Sequence, residues 1–218
     1  MLAYDIGMNV GQSSLHYLQR GFHVVAVEPN PFLISAAQKR LKPFLSNITI
    51  LENAISSTSG RKHFCLDGPS VGNHLVFTKE DGSCQTRRTV KTTTCKKILN
   101  EFGKAFIVKI DIEGMELDCL ESIIQARFMP CMITFENPLR KCHHCRTRFL
   151  KIVRMLNNLG FSHWKRQSWA KQFGHRFIGD EVIDIKYNKT WINASTVSRE
   201  FCCGTQNCDY VAKANKYC

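Results

Sequence analysis

Two stretches of this chain carry acids and glycines at a spacing that could hold a nucleoside and do chemistry beside it. In YDIGMNVGQSSLHYLQRGFHVVAVEPNP, residues 4–31, an apolar run ends on Asp5, Gly7 and Gly11 follow, and a second apolar run ends on Glu28. Glycines at such a turn let the backbone bend sharply and approach a ligand with no Cβ in the way. A helix starting near Gly11 aims unpaired N–H groups at whatever polar or anionic group sits there. Glu28 falls where the second strand of a Rossmann-like unit stops, and from there a carboxylate can accept from two ribose hydroxyls. Together these residues describe a pocket for an adenosyl cofactor. A dinucleotide fingerprint places its glycines as G-x-G-x-x-G. The pattern here is D-x-G-x-x-x-G, with an acid in front.

The second stretch, IVKIDIEGMELDCLES at 107–122, is an apolar strand ending on Asp111, a Gly-containing turn with Glu113 and Glu116, and an amphipathic helix. The first pattern resembles motif I of class I S-adenosylmethionine-dependent methyltransferases. VKIDIEGME, with VEPNP at 27–31 and LENAIS at 51–56, resembles the FkbM family of methyltransferases in order and spacing. The resemblance runs from about Ala3 to about Trp164. It implies S-adenosylmethionine as cofactor and methyl transfer, to a hydroxyl by family preference. It further implies that Asp5 orients the methionine end, that Gly7, Asn9, Val10 and Gly11 line that end, and that Glu28, with Asn30 beside it, holds the ribose. Asn53 and Ala54 then lie by the adenine, and Asp111 faces both cofactor and acceptor, with Glu113 as a second catalytic candidate. The family has residues ahead of its first strand, whereas Met1 lies beside this one. A signal or anchor upstream would therefore escape a reading of these residues.

Each acid also has a plainer role. Asp5 and Asp111 could be turn formers, and Glu113, Glu116 and Glu121 favourable charges near a helix start or on a solvated face. The matched positions of Asp5, Glu28 and Asp111 favour function, whereas Glu116 is expected to be structural. Glu136, after the fifth strand, sits at the same sheet edge and is a further candidate to reach the acceptor. Asn137 and Pro138 lack the second proline of the NPP motif and follow the wrong strand. Thr94 is followed by Cys95, Lys96 and Lys97 where the family tends to have acids.

To position these residues the chain must alternate strands and helices. Apolar runs bounded by turn residues predict strands at 2–6, 23–27, 48–51, 105–110, 131–135, 161–165 and 181–187. Helical periodicity predicts helices at 12–20, 31–41, 95–102, 116–124 and 146–159. The expected fold is α/β: a Rossmann-like class I methyltransferase with a mostly parallel seven-stranded sheet and helices on both faces. Residues 61–94 interrupt the alternation and read as an added hairpin or meander. A single domain over residues 1–190 and a cysteine-rich tail over 191–218 suit a chain of 218 residues with 44% hydrophobic content. No apolar run approaches the roughly 20 residues that span a bilayer.

The net charge is +12, with basic residues gathered in RRTVK, CKK, LRKCHHCRTRFLK and HWKRQSWAK. Such a surface attracts polyanions. Trp164 and Trp169 among Lys165, Arg166 and Lys171 would suit single-stranded nucleic acid, but tryptophans packed in a core beneath a solvated basic face explain them more simply. A small-molecule or glycan acceptor is therefore expected ahead of nucleic acid. The rivals are a nucleic-acid methyltransferase and an inactive binding or scaffold protein.

There are 11 cysteines, four of them in the tail at 202, 203, 208 and 218. Cys142 and Cys145 have the spacing of half a zinc site, yet no second C-x-x-C exists, so no metal site is expected. Sequons at Asn47, Asn188 and Asn193 beside tail cysteines favour disulfides and point to a secretory lumen or the extracellular space. Without a signal upstream, the chain would stay in the cytoplasm.

Overall fold

The computed structural model describes residues 1–66, 74–75, 86–136, 138, 145–168 and 181–187, of which 74–75, 162–168 and 181–187 are described by their backbone. The chain runs β1 (Leu2–Ile6), α1 (Gln12–Leu18), β2 (His23–Val27), α2 (Pro31–Arg40), a 3-10 turn (Lys42–Asn47) and β3 (Ile48–Leu51). Then come β4 (Ala54–Ile55), β5 (Gly60–Cys65), β6 (His74–Leu75), β7 (Arg87–Thr93), α3 (Cys95–Phe102), β8 (Ile107–Ile110) and α4 (Glu116–Gln125). β9 (Met132–Glu136), α5 (Arg146–Asn158), β10 (Phe161–Ser168) and β11 (Glu181–Tyr187) complete it.

The main sheet has seven strands in the order β3-β2-β1-β8-β9-β11-β10. The five from β3 to β9 are parallel, and β11 runs antiparallel between β9 and β10. Strands buried on both faces must be apolar throughout, and HVVAV and IVKI nearly are. Alternation splits their side chains between two cores. Tyr4, Ile6, Val25, Val27, Val108 and Ile110 pack with Ile98, Leu120, Ile123, Phe149 and Ile152 of α3, α4 and α5. Ala3, Val24, Ala26 and Ile107 pack with Tyr17 and Leu18 of α1 and Ala37 of α2. Helices thus cover both faces. Arg148 of α5 bridges Asp118 and Glu121 of α4, its Nη2 lying 2.8 Å from Glu121 Oε2.

Local signals set the helix ends. Asn30 caps α2 by accepting from Phe32 N at 2.9 Å ahead of Pro31 in the first turn, and Thr94 caps α3 by accepting from Lys97 N at 3.1 Å.

The added hairpin or meander expected over residues 61–94 is present, with β5 antiparallel to both β6 and β7. It belongs to a second sheet, ordered β4-β7-β5-β6, which was not foreseen. β4, only Ala54 and Ile55, pairs parallel with Thr92 and Thr93 and so anchors the β5/β7 hairpin beside the end of β3.

Disulfides also form outside the tail, where none was singled out. Cys95 and Cys119 are bonded to each other, joining α3 to α4 within the core with Cα atoms 5.2 Å apart. Cys65, Cys131 and Cys145 are disulfide-bonded as well. Cys145 is therefore not half of a zinc site, because its thiolate is taken. Cys142, the four tail cysteines, Asn137, Trp169, Lys171 and the sequons at Asn188 and Asn193 lie outside the described residues, as do the side chains of Trp164, Lys165 and Arg166.

Candidate active site

Chain order reverses between β1 and β8, since β1 continues to β2 on one side while β8 continues to β9 on the other. In an open parallel sheet the two connections leaving such a point diverge and open a crevice beyond the strand ends. The cavity there is lined by Gly7, Asn9, Val27, Glu28, Pro29, Leu33, Asn53, Ala54, Ile55, Phe64, Asp111, Ile112 and Glu113. Turns after β1, β2, β3 and β8 all contribute to it. Of the residues singled out in the sequence, it brings together Gly7, Asn9, Glu28, Asn53, Ala54, Asp111 and Glu113.

The turn after β1 is pinned at several points. Gly7 N and Met8 N both donate to Val27 O at 2.9 Å, and Asn9 N donates to Glu28 Oε2 at 2.9 Å. Gly7 has φ +87, and a Cβ there would stand 1.8 Å from the carbonyl oxygen of Asp111. The glycine is needed because the two turns touch. Asn9 and Glu113, in the turns after β1 and β8, are also left-handed, with φ 54 and 56. Such conformations cost energy and collect where a site must be held in one shape.

Glu28 is 5% exposed, and its Oε1 accepts from Asn30 N at 2.9 Å. Each carboxylate oxygen then keeps a lone pair to accept from a ribose hydroxyl, so the acceptors present fit an adenosyl group. Burial raises the Glu28 pKa, an effect that the two backbone bonds only partly offset.

Asp5 does not reach the cavity. It is fully buried, its Oδ2 accepts from Ser14 Oγ at 2.6 Å, and its Oδ1 lies 3.0 Å from Lys109 Nζ. A carboxylate engaged in this way beneath the turn is not placed to meet the methionine amino group. Gly11 is likewise structural. It precedes α1 with φ +78, and a Cβ there would press on Ala37 and Leu41 of the second core at 3.1 Å. Val10 and Asn30 line a separate cavity with Phe32, Leu66 and Arg88, and Asn30 serves as helix cap and as donor to Glu28. Glu116 is structural as expected, accepting from Ile112 N and Gly114 N and so shaping the turn that carries Asp111 and Glu113. Glu121 pairs with Arg148 on the far face.

Lys109 was not foreseen. The register sets it opposite Asp5 across β1 and β8, and Nζ also donates to Gly7 O at 2.6 Å and lies 3.5 Å from Asp111 Oδ2. Burial alone would lower its pKa, but Asp5 and then Asp111 outweigh this and hold it above the usual lysine value. A lysine inside an otherwise apolar strand was the available signal, because a buried ammonium must have carboxylate partners. Phe64, from the added sheet, was also missed.

Asp111, Glu113 and Glu136 bring one carboxylate oxygen each within 4.8 Å of one another at the β8/β9 side. Together they can take a proton, bind an ammonium or approach a cation.

Five parallel strands whose order reverses at β1 and β8, with β11 inserted antiparallel between β9 and β10, give the sheet of the class I methyltransferase fold. The family of the methyltransferase FkbM domain matches residues 5–162, and the chain belongs to that family. It is a methyltransferase, with S-adenosylmethionine as its cofactor. No curated protein matches the sequence. Among solved structures it is similar to a putative rRNA-methylase from Clostridium thermocellum, with 7% identity, TM-score 0.50, and 85% of this chain and 86% of that one covered. It is also similar to an rRNA methylase from Streptococcus thermophilus, at 9% identity, TM-score 0.48 and coverage of 85% and 86%. A putative methyltransferase from Streptococcus mutans in complex with SAH follows at 9% identity, TM-score 0.46 and coverage of 85% and 88%. At 7% identity the likeness to the Clostridium thermocellum structure is one of fold.

Proposed function

We propose that this methyltransferase methylates a hydroxyl of a small molecule or saccharide. The observation that carries the reading is the acidic rim beside the cofactor cleft, where Asp111, Glu113 and Glu136 gather. When bound, S-adenosylmethionine supplies a methyl group activated on a sulfonium. Glu28 and the turn at Gly7 hold the cofactor still, and much of the rate then comes from alignment of acceptor and donor. A hydroxyl must lose its proton as its oxygen bonds the methyl carbon, and a carboxylate of the rim accepts that proton. Asp111, at the edge of β8 between cofactor and acceptor sides, is the candidate to align the two.

The reading extends to the compartment. Disulfides persist where the environment is oxidising, and Cys65, Cys95, Cys119, Cys131 and Cys145 are all bonded. Asn47, the first residue of a sequon, is exposed at the end of its 3-10 turn. Both features support a secretory lumen or extracellular setting, where an acidic glycan would also meet the basic surface. No helix among the described residues is long and apolar enough to cross a membrane.

Screening acceptors with methyl-labelled S-adenosylmethionine tests the proposal. Label is expected in hydroxylated small molecules or saccharides and absent from RNA and DNA. Incorporation at defined nucleotides would replace it with the nucleic-acid reading, and no incorporation into any class would favour a binding or scaffold role.

A further inference from the structure

The buried ammonium of Lys109 belongs to neither core. It sits beneath the cleft at 3% exposure, on the α1/α2 face of the sheet, and its contacts run to both turns that form the cleft. Gly7 O is the carbonyl at the bend after β1, and Asp111 Oδ2 is on the first residue after β8. Asp5, fixed in turn by Ser14 of α1, holds the ammonium from below. Stability alone does not call for this arrangement, since a buried ion pair replaced by apolar residues often costs nothing. What an apolar pair could not do is tie the Gly7 bend to Asp111.

We propose that Lys109 is a positioning residue that sets the gap between the Gly7 turn and Asp111, and so governs binding of the amino acid tail of the cofactor but not of its nucleoside. The proposal rests on the cofactor assignment above. Gly7 and Asp111 stand at the β1/β8 side of the cleft, whereas the ribose acceptor Glu28 and the segment at Asn53 and Ala54 hang on β2 and β3 and are tied to each other through Glu28 N donating to Leu51 O at 3.1 Å. The side-chain hydrogen bonds described for Lys109 go to Asp5 and Gly7, both on the first side, and it reaches Glu28 only through its charge. With Oδ2 turned to the ammonium, Asp111 keeps Oδ1 without a partner among the described residues, available to a ligand.

Two ligands separate the two sides of the cleft. S-adenosylhomocysteine carries nucleoside and amino acid tail, whereas 5′-methylthioadenosine carries the nucleoside and sulfur alone. Calorimetry with both compounds would be run on the wild-type chain, on Lys109→Met, and on Asp5→Asn/Lys109→Met, which removes the buried charges together and leaves no unpaired carboxylate at position 5. Lys109→Met is expected to weaken S-adenosylhomocysteine by about ten- to a hundredfold, the range seen when a partner that orients a binding group is lost. 5′-Methylthioadenosine should be weakened far less, since it loses only the through-space effect of the Lys109 charge on Glu28. The double variant should recover melting temperature but not S-adenosylhomocysteine affinity, and it carries the test if Lys109→Met does not fold. Equal weakening of both ligands, or affinity that returns with stability in the double variant, would make Lys109 merely structural and overturn the proposal. Wild-type protein that binds neither compound would overturn the cofactor assignment and this inference with it.

Discussion

Replacing Glu28 by Gln keeps the shape of the side chain and changes only what its ends can accept, which makes the cost calculable. In the native cleft Oε2 accepts from Asn9 N and Oε1 from Asn30 N, both at 2.9 Å. A glutamine offers one oxygen and one NH2, so one of these backbone N–H groups must face another donor. Leaving it unsatisfied costs about 1–3 kcal/mol of stability. One ribose hydroxyl also loses its acceptor, and the remaining bond loses its charge assistance. A loss of about 1–3 kcal/mol in binding, roughly 5- to 150-fold in Kd, follows. Titration calorimetry with S-adenosylhomocysteine measures it directly.

The pH dependence adds a second readout with a fixed sign. Burial raises the Glu28 pKa above the ordinary 4.5. Cofactor hydroxyls are best held by the ionised carboxylate, so affinity should fall as pH drops through that raised value, at a higher pH than an exposed glutamate would give. Stability runs the other way. The folded state keeps the Glu28 proton at pH values where the unfolded chain has released it, so this group's contribution is full below about 4.5 and is lost as pH rises through the folded value. Glu28→Gln should flatten both slopes. If the glutamine variant binds S-adenosylhomocysteine as tightly as wild type and keeps its pH profile, Glu28 does not hold the ribose.

Three further outcomes are expected. Gly7→Ala should destabilise by about 3 kcal/mol or more, because left-handed strain adds to a backbone clash, whereas Gly21→Ala, with nothing within 4 Å of its Cβ, should cost only the strain; denaturant midpoints compare them. Asp111→Asn, which keeps Oδ1 as an acceptor for the cofactor but removes the charge, should lower turnover with an identified acceptor by about a hundredfold or more while changing S-adenosylhomocysteine affinity far less, and retained turnover would reduce Asp111 to a turn former. Removing the Cys95–Cys119 bond, which spans 24 residues, should cost about 3–4 kcal/mol by loop entropy; an unchanged melting temperature in Cys95→Ala/Cys119→Ala would contradict it, and peptide mapping without reduction would also report the pairings of the tail.

The parts of the site that were legible in the sequence are those encoded locally. Gly7, Glu28, Asn53 and Asp111 each sit at a strand end beside a turn residue, and a strand end in a parallel sheet already specifies which edge a side chain occupies. Face is harder to read than edge. Asp5 looked free because it ends an apolar run, yet alternation turns it to the α1/α2 side, where Lys109 meets it across a register that only the paired strands define. The added hairpin was legible, but the separate sheet it belongs to was not, for a related reason. Its anchor, β4, is two residues long, too short to carry a period, and pairing with Thr92 and Thr93 decides its role. Cysteine density drew attention to the tail, but bonding follows proximity, and α3 and α4 bring Cys95 and Cys119 together in the core.

Charge illustrates how whole-chain composition and local chemistry come apart. The chain carries a net +12, which read alone selects anionic ligands. Among the described residues around the cleft the balance is reversed: Glu28, Asp111, Glu113 and Glu136 gather near it, while Lys109 lies beneath it and is engaged by Asp5 and Asp111. Fields at this range are set by the nearest groups, because exposed charges more than a Debye length away, about 8–10 Å, are largely screened. The cleft therefore suits a cationic sulfonium even though the surface suits polyanions. The exposed Arg61, Arg87, Arg88 and Lys91 on β5 and β7 speak to what approaches the protein, and the buried carboxylates to what it holds.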